Sequence, residues 1–525
     1  MPNEAVKRNT HGRYQVHRAI GIRLICGLAA AAALIAQTSS SPPVNAPPDP
    51  APALSPYLKQ FADVFSTLQS ESADPPPVDK AIYGGAIPSM LRQLDPHTQF
   101  FDPMQFEQLK EMQDSEQKGF GSIVSVLPGQ VIFLQTLPGT PSNKAGIQAG
   151  DELLAVNNIA IRALEPEQII QLLTQARQQK VTIYIRRQGS PHLLQFTLTP
   201  ELVDSPSVDR VFMLRPGIGY IRVSSWDLQT AKELRDALQQ LGGPSLKGLV
   251  LDLRNNPGGV VKAALDAAAM FLKPGQRILT AKGRTSEVET ANVPDKASPY
   301  SFPLSVLING KTASASEILS GALQDHDRAV IVGEPSYGKG LVQSVMPLSG
   351  GAGLAITTAF YYTPSGRSIQ KPLQDSALSQ TFSSIAARPK YKTDGGRVVL
   401  GGGGIQPDVL VSQAPLTRLE TVLDASGAIT SFATRYLSTH SLPENFEITP
   451  GIIDDFKVFL SARRIQPGVG EWSNERSWVS HRLLEEIVTQ ARGVAKGDEV
   501  EAENDPQVQA ALHAVQKPAL LASRH

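Results

Sequence analysis

A multidomain chain built around an α/β core is the fold class this sequence predicts, and three observations predict it. Its 525 residues are too many for one ordinary hydrophobic core, so two to four domains are expected. From about Arg210 to Pro364, short apolar strands alternate with amphipathic helices, the order that lays helices on a layer of buried strands. Before that stretch the texture differs: helical spacing from Pro56 to about Gln117, then short strands and turns from Gly119 to about Leu202. Composition removes other classes. With 49 basic and 49 acidic residues the net charge is zero, and no field draws nucleic acid. One cysteine, Cys26, permits no intrachain disulfide and no multi-cysteine metal site.

The amino-terminal residues, 1–41, read as a signal peptide or signal anchor. Lys7, Arg8, Arg13 and Arg18 precede an apolar run from Leu24 to Ala36, and six prolines follow between Pro42 and Pro52. The run suits a signal core better than a membrane span, although extension back to Ala19 across Arg23 gives a marginal span. Export is expected, with a periplasmic or other extracytoplasmic location, and cleavage or retention as an inner-membrane anchor is left open. Cys26 follows "RLI" rather than a small residue, which argues against a lipoprotein signal. Residues 42–55 form a proline-rich linker, and residues 56–117 a small helical region in which "YLKQFADVFSTLQ" and "MQFEQLKEMQ" flank "LRQLDPHTQFFDP". Asp95-Pro96 and Asp102-Pro103 mark turns in that middle segment.

Residues 118–202 contain "GSIVSVL", "QVIFLQTL", "GTPSNKAGIQAGDELLAVNN", the helix "PEQIIQLLTQARQQ" and the strand "KVTIYIRRQG". That order resembles a PDZ domain, an α+β module that binds peptides between a strand and a helix. The matching elements are the loop Gly119, Phe120, Gly121 and Ser122 for a terminal carboxylate, the strand beginning at Ile123, and the helix from Glu167. A glycine-flanked loop offers several backbone N–H groups, which carboxylate capture requires, and an extended peptide pairs as an added strand. Taken alone, "GFGS" is an ordinary turn; the order of the whole segment carries the resemblance.

Residues 203–410 hold the alternating strands and helices, and residues 411–525 a mixed, mostly helical region with little diagnostic chemistry. Within the core, "SASE", Ser314 to Glu317, fits a capping box at a helix start. The same position suits a nucleophile, because the helix dipole and the N–H of Ala315 are available to a developing oxyanion. A serine needs a base to take its proton. His326 lies at the far end of the expected helix, roughly 18 Å away if the helix is straight. Lys339 in "SYGKG" is the better candidate: its neighbours are small or apolar, the nearest acid in sequence is Glu334, and desolvation leaves a lysine amine able to act as base. The turn "NPGG" lets backbone approach a substrate closely at Gly258 or Gly259.

The segment "NGKTASASEILSGALQDHDRAVIVGEPSYGKGLVQ" is similar, almost position for position, to the signature of the carboxyl-terminal processing proteases, S41 serine peptidases of the tail-specific protease type. The resemblance implies that Ser314 is the nucleophile, that Lys339, at the family's spacing from it, is the base, and that Gln343 orients this lysine. It implies supporting roles for Glu317 and Asp325, and an oxyanion hole from the N–H of Ala315 with Gly258 or Gly259 in "LDLRNNPGG". "LDPHTQFF" resembles the family's "LDPHS" segment, which makes His97 structural rather than catalytic. The implied fold is a crotonase/ClpP-like α/β core with an inserted-type PDZ domain and a helical amino-terminal region. One departure is visible: a long stretch separates "YYTPSGRSIQ" from "GGGGIQPDV", where compact members join the two almost at once, and it reads as a surface loop.

The resulting expectation is an exported endopeptidase with a Ser/Lys dyad. It binds protein or peptide substrates through their carboxyl-terminal tails, and needs no metal or organic cofactor. A noncatalytic PDZ-containing peptide-binding protein on the same fold is the alternative, distinguished by loss of a dyad residue. A histidine-dependent hydrolase is disfavoured because no "GxSxG" surrounds any serine. Substrate identity, homo-oligomer formation and any gating by the PDZ domain are left open.

Overall fold

The computed structural model describes residues 22–24, 51–113, 116–284, 287–372 and 388–517, which fall into two compact units. Beyond Ile22–Leu24, the expected signal segment and the proline tract up to Pro50 lie outside the described residues. Among those described, no helix is long and apolar enough to cross a membrane.

The first unit joins residues 118–203 to residues 413–504, with the short strand Ile22–Leu24. Its antiparallel sheet runs Ser122–Leu127, Gln130–Thr136, Glu152–Val156, Val181–Arg186, Leu194–Leu198. Val181, Ile183 and Ile185 alternate with less buried neighbours, and the helix Pro166–Ala176 lays Ile169 into the same core. Ser122–Leu127 would be the edge of this sheet, and Ile22–Leu24 pairs antiparallel along it, Ile22 opposite Val126. The helices Arg418–Ala425, Ala428–Leu437, Pro450–Ala462 and Val469–Arg492 build a second core around Phe432, Phe456 and Trp472. Thr417 and Thr449 cap two of these helices by accepting the N–H of Glu420 and Ile452.

The second unit joins residues 29–117 to 204–412 and 505–525. One sheet runs parallel from Ile218–Val223 through Gly248–Asp252, Leu304–Ile308 and Val330–Gly333 to Val409–Leu410, with Val208–Arg215 antiparallel at one edge. The three central strands are buried along their whole length, which is why they read as unbroken apolar runs. The last helix, Pro506–Gln516, belongs to this unit: the Ser305 hydroxyl donates to the carbonyl of Ala511 at 3.0 Å. A Cβ on Gly248 would lie 2.1 Å from Val515 Cγ1, so only glycine lets that helix so close to the strand.

A second, antiparallel sheet runs Glu289–Asn292, Arg277–Gly283, Gly353–Tyr362, Leu341–Pro347. The amino-terminal region is helical over Ala51–Glu71, Ile87–Arg92 and Pro103–Gln113, yet its middle also contributes a strand, Gln99–Phe101, paired with Gly353 to Ala355. Of the long stretch between "YYTPSGRSIQ" and "GGGGIQPDV", residues 373–387 lie outside the described residues. The part after them is a hairpin, Lys390–Lys392 against Val398–Leu400, rather than plain loop.

Candidate active site

The helix Ala315–Asp325 is buried at every residue, and Ser314 stands at its N-cap with φ 54° and ψ −115°. A positive φ on a residue with a side chain costs of order 1–3 kcal/mol and persists only where surroundings impose it. They do so here. The Ser314 N–H donates to Glu317 Oε2 at 2.8 Å, and its carbonyl accepts from the N–H of Ile318 at 2.9 Å and the Tyr361 hydroxyl at 3.1 Å. The Glu317 half of the expected capping box is therefore present, while the serine hydroxyl makes no capping hydrogen bond.

Glu317 also reaches the second loop. It accepts from the N–H of Gly338 at 2.8 Å, the N–H of Lys339 at 2.9 Å and the hydroxyl of Ser336. Burial raises its carboxyl above the usual range, and these donors pull the other way. One carboxylate thus ties the start of the helix to the glycine-flanked lysine. The Tyr361 hydroxyl adds a second tie, donating to the carbonyls of Ser314 and of Lys339, the latter at 2.8 Å.

Lys339 is buried, and its Nζ donates to Gln343 Oε1 at 2.6 Å. Burial lowers its pKa to about 8, although the carboxylates of Asp95 and Glu317 act in the opposite direction. The sequence points to Glu334 as the nearest acid; folding instead brings in Asp95 and Glu317, neither hydrogen-bonded to the ammonium. The amide Nε2 of Gln343 donates to the carbonyl of His97 at 2.7 Å. The His97 ring is held near pKa 4, chiefly by burial and then by Lys339, so it is neutral at ordinary pH.

The turn Gly258-Gly259 lies against the same serine. A Cβ on Gly258 would sit 2.8 Å from Ser314 Cβ, and one on Gly259, at φ 144°, 1.9 Å from the carbonyl oxygen of Trp226. Asn256 holds the turn: its Oδ1 accepts the Gly258 N–H at 2.9 Å, and its carbonyl accepts the Ala313 N–H at 3.0 Å. The Gly258 N–H is thereby spent. Among the described residues, no such partner takes the N–H of Gly259 or Ala315.

Asp325 sits at the other end of the helix, away from Ser314 along the chain. It pairs with the fully buried Arg367 at 2.7 Å and accepts from the Thr363 hydroxyl and the Ser365 N–H. His326 bonds to Asp394 and to the Arg277 carbonyl, both at 2.7 Å. In the first unit, the Gly119–Ser122 loop is braced from one side: the carbonyls of Phe120 and Gly121 accept the N–H of Ser142 and Leu137, at 2.9 and 2.8 Å. Phe120 packs on the core, the hydroxyls of Ser122 and Ser142 meet at 2.6 Å, and Ile123 pairs with Gln135.

A hydroxyl at a helix start, an amine whose pKa burial has lowered, and backbone N–H groups without a hydrogen-bond partner are the parts acyl transfer requires. Sequence reasoning gives no role at the site to Tyr361, Asn256, Ser336 or Asp95, although each lies in a segment it singles out for other residues. Their contributions are hydrogen bonds to groups that only the fold brings within reach.

Comparison with known proteins matches residues 217–376 to the peptidase family S41 and residues 133–187 to a PDZ domain. A carboxyl-terminal-processing protease of Synechocystis sp. is 38% identical over 57% of this chain and 72% of its own length. A carboxy-terminal-processing protease of Bartonella bacilliformis is 33% identical over 60% of this chain and 72% of its own. One from Picosynechococcus sp. is 35% identical over 54% and 70% respectively.

Proposed function

The chain belongs to the carboxyl-terminal-processing proteases of peptidase family S41, and on that premise we propose that it is an exported endopeptidase whose Ser314–Lys339 dyad cleaves protein substrates near their carboxyl-terminal tails. The observation that carries this reading is the state of Lys339: a buried amine, hydrogen-bonded to a neutral amide rather than to a carboxylate, with its pKa lowered to about 8. At that value an appreciable fraction is unprotonated under mildly alkaline conditions and can accept a proton.

Lys339 takes the Ser314 proton as the oxygen attacks the scissile carbonyl. The oxyanion is held by the N–H groups of Ala315 and Gly259. Gly259 is preferred over Gly258 because the Gly258 N–H is donated to Asn256. The Lys339 ammonium then protonates the leaving amine, and the same amine activates the water that releases the acyl-enzyme. Gln343 orients the amine, and Glu317 holds the two loops. Asp325 serves the far end of the helix instead, fixing the "TPSGR" turn through Arg367.

The substrate tail adds as a strand along Ser122–Leu127, with the Gly119–Ser122 loop taking its carboxylate. That this edge accepts an antiparallel strand is supported by Ile22–Leu24, which pairs there. Export rests on the basic residues and apolar run at the amino terminus.

Purified full-length protein and its Ser314→Ala and Lys339→Ala variants, assayed on a peptide with an apolar carboxyl terminus, test the dyad. Each substitution is expected to lower kcat/KM by at least about 10³-fold without loss of fold. Normal cleavage by both variants sinks the dyad. A wild-type protein that binds such tails but cleaves none identifies a binding module instead. Amidating the peptide's carboxyl terminus is expected to raise KM; an unchanged KM removes the carboxylate-capture reading.

A further inference from the structure

The Asp95-Pro96 turn belongs to the amino-terminal region, ahead of the PDZ segment and the whole α/β core, yet through Gln343 it is linked to the lysine of the proposed dyad. Its carboxylate is buried and fully engaged within the turn. Asp95 Oδ1 accepts the N–H of His97 at 2.7 Å and of Thr98 at 2.8 Å, and Oδ2 accepts the Thr98 hydroxyl at 2.7 Å. These hydrogen bonds to one carboxylate fix the direction of the His97 carbonyl. Thr98 Oγ1 in turn accepts the N–H of Thr357 at 3.3 Å, and Gln99–Phe101 pairs with Gly353 to Ala355, so the turn is anchored to the strand that carries Tyr361.

An amide side chain presents a donor on one side and an acceptor on the other. Because Gln343 Nε2 is committed to the His97 carbonyl at 2.7 Å, its Oε1 is the atom turned toward Lys339 Nζ at 2.6 Å. Without that carbonyl the amide is free to rotate and present N–H groups to an amine that needs an acceptor. We propose that Asp95 is a positioning residue of the catalytic site, acting through the His97 carbonyl and Gln343 to aim the Lys339 amine. The inference rests on the dyad reading and adds to it a residue from the amino-terminal region.

Electrostatics point the same way. The ionisable groups that act on Lys339 are Asp95 and Glu317, with His97 beside them in the turn. His97, held near pKa 4, carries no charge in the working range, so the turn contributes the single negative charge of Asp95. That charge favours the ammonium; removing it lets Lys339 release its proton at lower pH.

The test uses full-length protein, with kcat, KM, thermal midpoint and the pH profile of kcat/KM from about pH 6 to 10 measured for Asp95→Asn and Thr98→Val. For Asp95→Asn, kcat is expected to fall about tenfold or more with KM within about twofold, since the loss is in proton transfer rather than binding. Its acidic limb is expected to move down by about half a unit to one unit. Thr98→Val keeps the charge but loosens the clasp, so kcat falls while the limb moves less. A wild-type kcat and limb for Asp95→Asn overturns the inference. So does a fall in activity that only tracks loss of folded protein, with the limb unmoved in both variants. Lys339→Ala in the same assay separates the two readings. If it retains activity, the dyad itself is wrong; if it is inactive while Asp95→Asn is normal, only the role of Asp95 falls.

Discussion

The helix Ala315–Asp325 carries a buried acid near each end, and the two are neutralised by different means. Asp325 meets a guanidinium, Arg367 at 2.7 Å, with both side chains almost wholly out of solvent. Glu317 meets no cation directly. It is surrounded by the N–H groups of Ser314, Gly338 and Lys339 and the hydroxyl of Ser336. Dipoles can hold a carboxylate without trapping a base. Had Glu317 paired with the Lys339 ammonium, the pair would keep the amine protonated, whereas the arrangement found leaves Lys339 bound to an amide and lowered to about 8. An ion pair serves the end that needs only to be rigid, and a cage of neutral donors serves the end where the proposed dyad would exchange a proton.

The largest expected effect is at the rigid end. Asp325→Asn strands a buried guanidinium and should cost about 3–5 kcal/mol in urea unfolding, with kcat per folded molecule unchanged. A fall in kcat beyond the loss of fold would erase the division between the two ends. At the other end the loss should appear in rate. Gly259→Ala places a Cβ 1.9 Å from the Trp226 carbonyl oxygen, displaces the turn, and should lower kcat by about 10²–10³-fold. Gly258→Ala crowds Ser314 instead, so the two variants separate loss of an oxyanion donor from displacement of the nucleophile.

A smaller effect has the opposite sign. Lys339 is lowered in the folded protein from 10.5 to about 8, so between these values the unfolded chain binds more protons and stability rises with pH. Below about pH 8 both states are protonated and the full cost of the buried ammonium is present. Lys339→Met should therefore stabilise the protein at about pH 7 by up to about 3 kcal/mol, and the gain should vanish above about pH 10.5. In the wild type, kcat/KM should rise with pH through about 8 as the amine is freed. Glu317→Gln removes the charge but also turns an amide N–H group onto backbone N–H donors that both carboxylate oxygens now accept. It should lower kcat/KM by more than about tenfold through displaced loops, and in the folded fraction shift the acidic limb to lower pH. No shift would mean that the Glu317 charge does not reach Lys339.

The dyad proposed at Ser314 and Lys339 is read from the sequence because both lie in one unbroken segment with a fixed spacing, and the alternation from Arg210 to Pro364 becomes the buried strands it predicts. The division of labour between Glu317 and Asp325 is not legible, because both are acids on one helix and their partners arrive from elsewhere. Gln343 finds His97 across a separation of 246 positions, and it binds a carbonyl that every residue possesses. Periodicity likewise marks an apolar helix face without saying which sheet receives it. The carboxyl-terminal region reads as helical with little diagnostic chemistry, yet its last helix joins the catalytic unit, with Arg254 bound to Asp505 at 2.6 Å and to Gln507 at 2.9 Å.

That last helix bears on how the protein is made. Gly248 is shaped to receive Val515, so a central strand of the catalytic sheet remains uncovered until the helix Pro506–Gln516, far along the chain, has been synthesised. At roughly 5–20 residues per second, the ribosome delivers that cover on the order of ten seconds or more after the strand itself. The first unit is interleaved in the same way, its two parts separated by the chain of the second. A polypeptide released early would hold Ser314, Lys339 and the turn that serves them within an unfinished core. Proteolytic competence thus waits on a helix made long after the residues that would carry it.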